Sequence, residues 1–265
     1  MNIYLQEFKS GLKILIVWAL VVSGITALML SFYPLIRSDA KTFMGMMENF
    51  PPAFRAALGI VTESFTSTLG FYGFALTYAH LFASIQAMNL GVGILSKEER
   101  ERTADFLLTK PVSRFKILAS KLLYSLTAFL ITLAAFWVVT FAMISGFSGG
   151  DFDMAKFSLI NLSLLFLQLI FFTIGLVVSV FSRKIKSVLS VSLGLVFGFF
   201  AISAFAVTST DDKLRFFSPF QYFKTEYIVK NGHYEVPFAI LGAAIVVIGI
   251  IVSFVMYKRR DIHSV

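Results

Sequence analysis

Seven polar side chains stand out inside stretches that are mostly apolar: Thr77, Tyr78, His80, Gln86 and Asn89 in one, Asn161 and Gln168 in another. Burying such groups in lipid is costly, so each needs a use or a partner. Gln86 and Asn89 are three residues apart and share a helix face, His80 lies near the middle of its stretch, and Asn161 and Gln168 are two helical turns apart. One chemistry open to Thr77, His80, Gln86, Asn89, Asn161 and Gln168 is the polar lining of a translocation path. The other is hydrogen bonding between helices, worth about 0.6–2 kcal/mol each. No acidic residue stands near the centre of these stretches, which argues against a carboxylate relay for proton or sodium coupling.

Other constellations are weaker. The chain has no cysteine, which excludes disulfides, thiolate metal sites and a cysteine nucleophile. His80, His233 and His263 lie far apart and form no zinc set. Met44, Met46 and Met47 could hold a soft metal such as Cu(I), but methionine as apolar filler on an interfacial helix is the commoner use. There is no catalytic set and no nucleophile elbow. There is also no G-x-x-x-x-G-K-[ST] loop to cradle phosphates, so the expectation is a non-enzyme without a cofactor or metal of its own.

The elements that must position these residues are long. Of 265 residues, 57% are hydrophobic and 14% charged, against roughly 45–50% and 25% in soluble domains. Six runs approach or exceed the roughly 20 residues needed to span a bilayer as a helix: 14–32, 69–95, 118–144, 157–181, 188–207 and 236–256. The first is longer than the apolar core of a signal peptide and is expected to be retained. The reading is one all-α, polytopic transmembrane domain over residues 1–265, with six transmembrane helices.

Lysine and arginine orient it. Placing the N-terminus, 96–121, 182–187 and the C-terminus on one side gives that side 15 of the 23 basic and 6 of the 15 acidic residues. Cytoplasmic loops carry this excess, so both termini are expected inside. The basic residues are scattered over four short segments, which suits anionic headgroups of the lipid bilayer rather than nucleic acid.

On the opposite side, 33–68 carries Phe43, Met44, Met47, Phe50 and Phe54 at near-helical spacing, interrupted by Pro51-Pro52. It predicts two short interfacial helices broken at the prolines. Residues 146–156 form a short Gly/Asp loop, and Asn231-Gly232 marks a turn.

The inner segment 95–116 reads LSKEERERTADFLLTKPVSRFK. Ser96 and Glu99 have capping-box spacing and predict a helix over 96–110. Ala104, Leu107 and Leu108 share one face, Pro111 ends the helix at Lys110, and Ser113 is placed to cap the next one. The apolar face needs lipid or a partner's groove.

These residues resemble the ABC-2 type permease family, the membrane subunits of bacterial ABC transporters. The resemblance rests on the charged run Glu98–Arg102, Thr103, the cluster Phe106-Leu107-Leu108 and Pro111-Val112-Ser113-Arg114. The six-span layout, an amphipathic N-terminal helix bearing Ile3, Tyr4, Leu5, Phe8 and Leu12, and the Asn49-Phe50-Pro51-Pro52 and Leu58-Gly59 pairs extend it over nearly the whole chain. Where the family has glycine before the threonine, this chain has Arg102.

The resemblance implies a coupling helix at 96–110 that docks on a separate ATPase subunit through Glu99, Glu101, Arg102, Thr103, Phe106, Leu107, Leu108 and Pro111. It implies that ATP and Mg are bound by that subunit, that a second permease chain completes the path, and that the protein sits in the bacterial inner membrane, most simply as an exporter. A membrane subunit that transmits a signal without moving a substrate is the alternative.

Overall fold

Apolar runs without interior proline become helices, because lipid offers backbone groups no other partner. The computed structural model describes residues 3–51, 54–55, 67–100, 113–148, 152–182, 185–209 and 212–259, apart from the side chains of 95–100 and 259. Among the described residues there is no strand. The long helices are α1 (Ile3–Ser31), α4 (Thr68–Arg100), α5 (Arg114–Ser148), α6 (Met154–Phe181), α7 (Val188–Thr208) and α9 (Val236–Arg259). Two short helices, α2 (Tyr33–Ser38) and α3 (Ala40–Glu48), follow α1, and α8 (Thr225–Asn231) precedes α9.

Helix starts follow local chemistry. Asp153 caps α6, accepting from the backbone N–H of Ala155 at 3.0 Å and of Lys156 at 3.1 Å. Ser187 caps α7 by accepting from Ser190 N–H at 3.2 Å. Ser113 caps α5 as expected, with Lys116 N–H 3.3 Å from its hydroxyl. α8 ends at Gly232 with φ 72°, the left-handed conformation that suits glycine, at the expected Asn231-Gly232 turn. On the other side, α3 stops at Glu48, just before Pro51. Residues 56–66, where the second interfacial helix was expected, lie outside the described residues.

Two expectations are corrected. The N-terminal amphipathic stretch and the first span form one unbroken helix of 29 residues. No proline interrupts it, and at about 43 Å it exceeds the roughly 30 Å hydrocarbon core, so its ends must project. The capping box at Ser96 opens no new helix, because α4 continues through Arg100. A cap needs extended backbone, and no proline or glycine between Ile94 and Arg100 forces one.

Five stretches, Ile3–Ser38, Arg114–Ser148, Met154–Phe181, Val188–Thr208 and Val236–Lys258, are long and apolar enough to cross a membrane. The chain is therefore a multi-pass membrane protein. α4, with 33 residues, is as long as these and carries Thr77, His80, Gln86 and Asn89. It is also the most enclosed helix: Tyr72, Ala75, Leu76, Ala79, Ala83, Ala87, Met88 and Val92 have no exposed surface. A helix wrapped by others need not be apolar on every face.

α4 packs most extensively on α6, and α1 on α5. The α4–α6 contact is backbone to backbone. A Cβ on Gly175 would sit 2.8 Å from the Met88 carbonyl and 3.0 Å from Val92 N, and one on Gly91 would collide with the Phe172 carbonyl. α9 lies against α6, where Gly249 meets Thr173 and Gly242 meets Ile170. In the 212–235 connection Arg215 pairs with Glu235 at 2.7 Å and lies over the Phe238 ring. Burial holds the nearby Lys224 ammonium below the usual lysine range; Arg215 adds to this, while Glu226, Glu235 and Asp212 oppose it.

Candidate functional site: the buried polar seam and the N-terminal end of the bundle

His80 and Gln86 of α4 reach partners on α5 and α6. Gln168 Nε2 on α6 donates to Gln86 Oε1 at 3.0 Å, Gln86 Nε2 donates to Thr132 Oγ1 on α5 at 2.9 Å, and Thr132 Oγ1 donates to the Ala128 carbonyl at 3.0 Å. The result is one continuous chain across three helices, and Gln86, Gln168 and Thr132 are at most 1% exposed. Among the described residues, Gln168 Oε1 has no hydrogen-bond partner.

A second link joins His80 Nε2 to Ser163 Oγ at 3.0 Å. Ser163 donates its single hydroxyl proton to the Ile160 carbonyl at 2.6 Å, so His80 must be the donor, with its proton on Nε2. Nearer α6's N-terminus, Asn161 Nδ2 donates to the Phe157 carbonyl at 2.9 Å, and Thr140 Oγ1 lies 3.3 Å from Asn161 Oδ1.

The structure thus joins Gln86 to Gln168, and gives His80 and Asn161 separate partners. Thr77 bonds back to the Gly73 carbonyl of its own helix, at 3.2 Å, and stays half-buried, as does Asn89. Ser163, Thr132 and Thr140 complete the seam and were not singled out in the sequence. A hydroxyl in an apolar run bonds readily to the carbonyl one turn back and leaves no pattern. Met47 lines an apolar cavity of about 290 Å³ with Met29, Phe32, Phe43, Phe71 and Phe74, a setting suited to apolar filler.

At the end of the bundle that holds the N-terminus, Lys121 on α5 is 1% exposed. Its Nζ donates to the Ile94 carbonyl of α4 at 2.6 Å and lies 3.5 Å from Glu7 Oε1 on α1. In the sequence Lys121 is one more basic residue of the inner face. Its register betrays it, because it falls on the buried stripe of Ile117, Leu118, Tyr124, Ser125 and Ala128. Close by, Arg114 donates to the carbonyls of Tyr257 and Lys258 at 3.3 and 3.4 Å, capping the last turns of α9.

A family model described as "ABC-2 family transporter protein" matches residues 1–262. The chain belongs to the ABC-2 family of transporter proteins. No curated protein matches it. Family membership makes this ABC-2 chain a membrane transport component and implies an ABC ATPase subunit as its partner. Of the expected docking residues, Glu99 lies on the last turn of α4, while Glu101, Arg102, Thr103, Phe106, Leu107, Leu108 and Pro111 lie outside the described residues.

Proposed function

We propose that the chain is the membrane-spanning permease subunit of an ATP-driven exporter, working with a separate ATPase subunit and a second permease chain. The observation that carries the reading is the family match over residues 1–262. α4 supplies a sixth span. Its 33 residues reach about 50 Å, and its buried His80 and Gln86 are bonded within the bundle, which lowers the cost of taking them through lipid. With the Lys/Arg excess inside, both termini face the cytoplasm of a bacterial inner membrane.

Six helices in one chain enclose little space, so two chains form the path. The Gln86–Gln168 pair holds α4 on α6, while Thr77 and Asn89, left half-buried, are assigned to the path lining. ATP and Mg belong to the partner, since this sequence has no phosphate loop. ATP binding draws the ATPase subunits together, and the 96–110 segment passes that displacement into α4 and α5 as a rigid-body shift.

The purified chain is expected to hydrolyse no ATP, with turnover appearing only on adding the ATPase subunit. Robust hydrolysis by the chain alone overturns the reading, and turnover without flux into vesicles favours the signalling alternative. Topology is tested separately. Because there is no native cysteine, single cysteines at Ser148 or Thr210 should react with an impermeant thiol reagent in intact cells, and those at Lys97 or Lys184 should not. The reverse pattern inverts the orientation, and a mixed one breaks the six-span count.

A further inference from the structure

A lysine at a membrane interface ordinarily sends its ammonium out to water along its flexible stem. Lys121 does the opposite. It is 1% exposed, and its ammonium sits between two other helices, on the Ile94 carbonyl at 2.6 Å and beside Glu7 at 3.5 Å. Fully buried lysines are rare unless paired, so this geometry ties three elements at one point: the first turns of α1, the inner end of α4 and the foot of α5.

The surroundings reinforce the tie. Tyr4 of α1 reaches Thr127 of α5 at 3.2 Å. Gly11 of α1 lies flush against the Tyr124 hydroxyl, leaving no room there for a Cβ. Tyr4, Glu7 and Gly11 share one face of α1, as Lys121 and Tyr124 share one face of α5. Ile94 lies only six residues before Arg100, and the helix between them is unbroken. The carbonyl that Lys121 grips is therefore on the same rigid rod that leads into the 96–110 segment.

We propose that Lys121 is a positioning residue, a latch that makes the inner ends of α1, α4 and α5 one rigid body. Displacement of the segment after α4 then moves α1 as well. The inference rests on the docking of an ATPase subunit at 96–110. Without the latch, α4 would be pushed while α1 stayed behind.

The test uses the complex of the chain with its ATPase subunit in lipid nanodiscs. An environment-sensitive fluorophore is attached to a single cysteine at Lys97, on the end of α4, or at Lys9, on α1. With Lys121 intact, both labels should respond to ATP. In Lys121→Met the Lys97 response and ATP hydrolysis should persist, while the Lys9 response falls by about tenfold, the scale of a typical coupling between sites. A protein that is merely less stable would lose both signals together. An undiminished Lys9 response in Lys121→Met overturns the latch. Should that variant not assemble, Glu7→Gln carries the test: it keeps the bond to Ile94 and removes the charge pair, so a reduced Lys9 response supports the latch and an unchanged one overturns it. If neither label responds to ATP in the unmodified complex, the docking reading fails and the latch with it.

Discussion

Leu107→Asp is expected to release the ATPase subunit while leaving the chain inserted in the membrane. The sequence spacing of Ala104, Leu107 and Leu108 predicts an apolar face on the 96–110 segment. If that face fills a groove on the ATPase, the site is desolvated in the complex, and an unpartnered carboxylate there costs several kcal/mol. A loss of about 4 kcal/mol weakens docking roughly a thousandfold. The membrane-spanning runs are untouched, so expression and insertion should be normal. Co-purification of the ATPase, or ATP turnover by the complex, is the measurement. Glu101→Lys should disturb docking less, and Lys97→Ala and Lys110→Ala should be tolerated. A fully assembled, fully active Leu107→Asp complex would mean that the face rests on lipid, and would take the mechanical role away from this segment.

Gly91→Ala should be the most damaging single-methyl change in the bundle. The added Cβ runs into the Phe172 carbonyl and comes within 2.9 Å of Leu176 N. Both are backbone atoms of α6, and neither can rotate aside as a side-chain tip would. Relief requires α4 and α6 to separate along their most extensive contact, which also stretches the 3.0 Å Gln168–Gln86 bond. Overpacking costs up to about 3 kcal/mol in typical cases, and a loss of about 3 kcal/mol is a fall of roughly 6–12 °C in thermal midpoint for a chain of this size. Gly175→Ala, which meets the Met88 carbonyl and Val92 N from the other side, should behave alike. Gly194→Ala and Gly198→Ala on α7 are the controls, since among the described residues nothing lies within 4 Å of a Cβ at either. There the better helix former should leave the midpoint unchanged or raise it. Equal effects at all four positions, read by thermal unfolding in detergent, would mean that α4 and α6 are not in backbone contact.

What the sequence determined by itself was whatever depends on a few neighbouring residues. The six apolar runs became helices because lipid forces any spanning segment to satisfy its own backbone, and 118–144, 157–181, 188–207 and 236–256 each lie wholly inside one. The cap at Ser113 and the turn at Asn231-Gly232 were legible for the same reason, as each is decided by one side chain or one permissive backbone. The absence of a phosphate loop is likewise a property of the string.

Only the tertiary structure decided which polar groups meet. Gln86 and Gln168 are 82 residues apart, and their spacing along single helices gave no sign that they face each other across the Gly91–Gly175 contact. Lys121 looked like a topology charge until the rotation of α5 turned it onto Glu7 and Ile94. The capping box at Ser96 failed for a related reason. A cap signal is conditional on the chain having left the helix, and α4, held on α6 along its length, runs on through it. Helix formation is local, but the rotation and mutual approach of helices are set by contacts between distant residues, and in this bundle those contacts turn on where glycine lets two backbones touch.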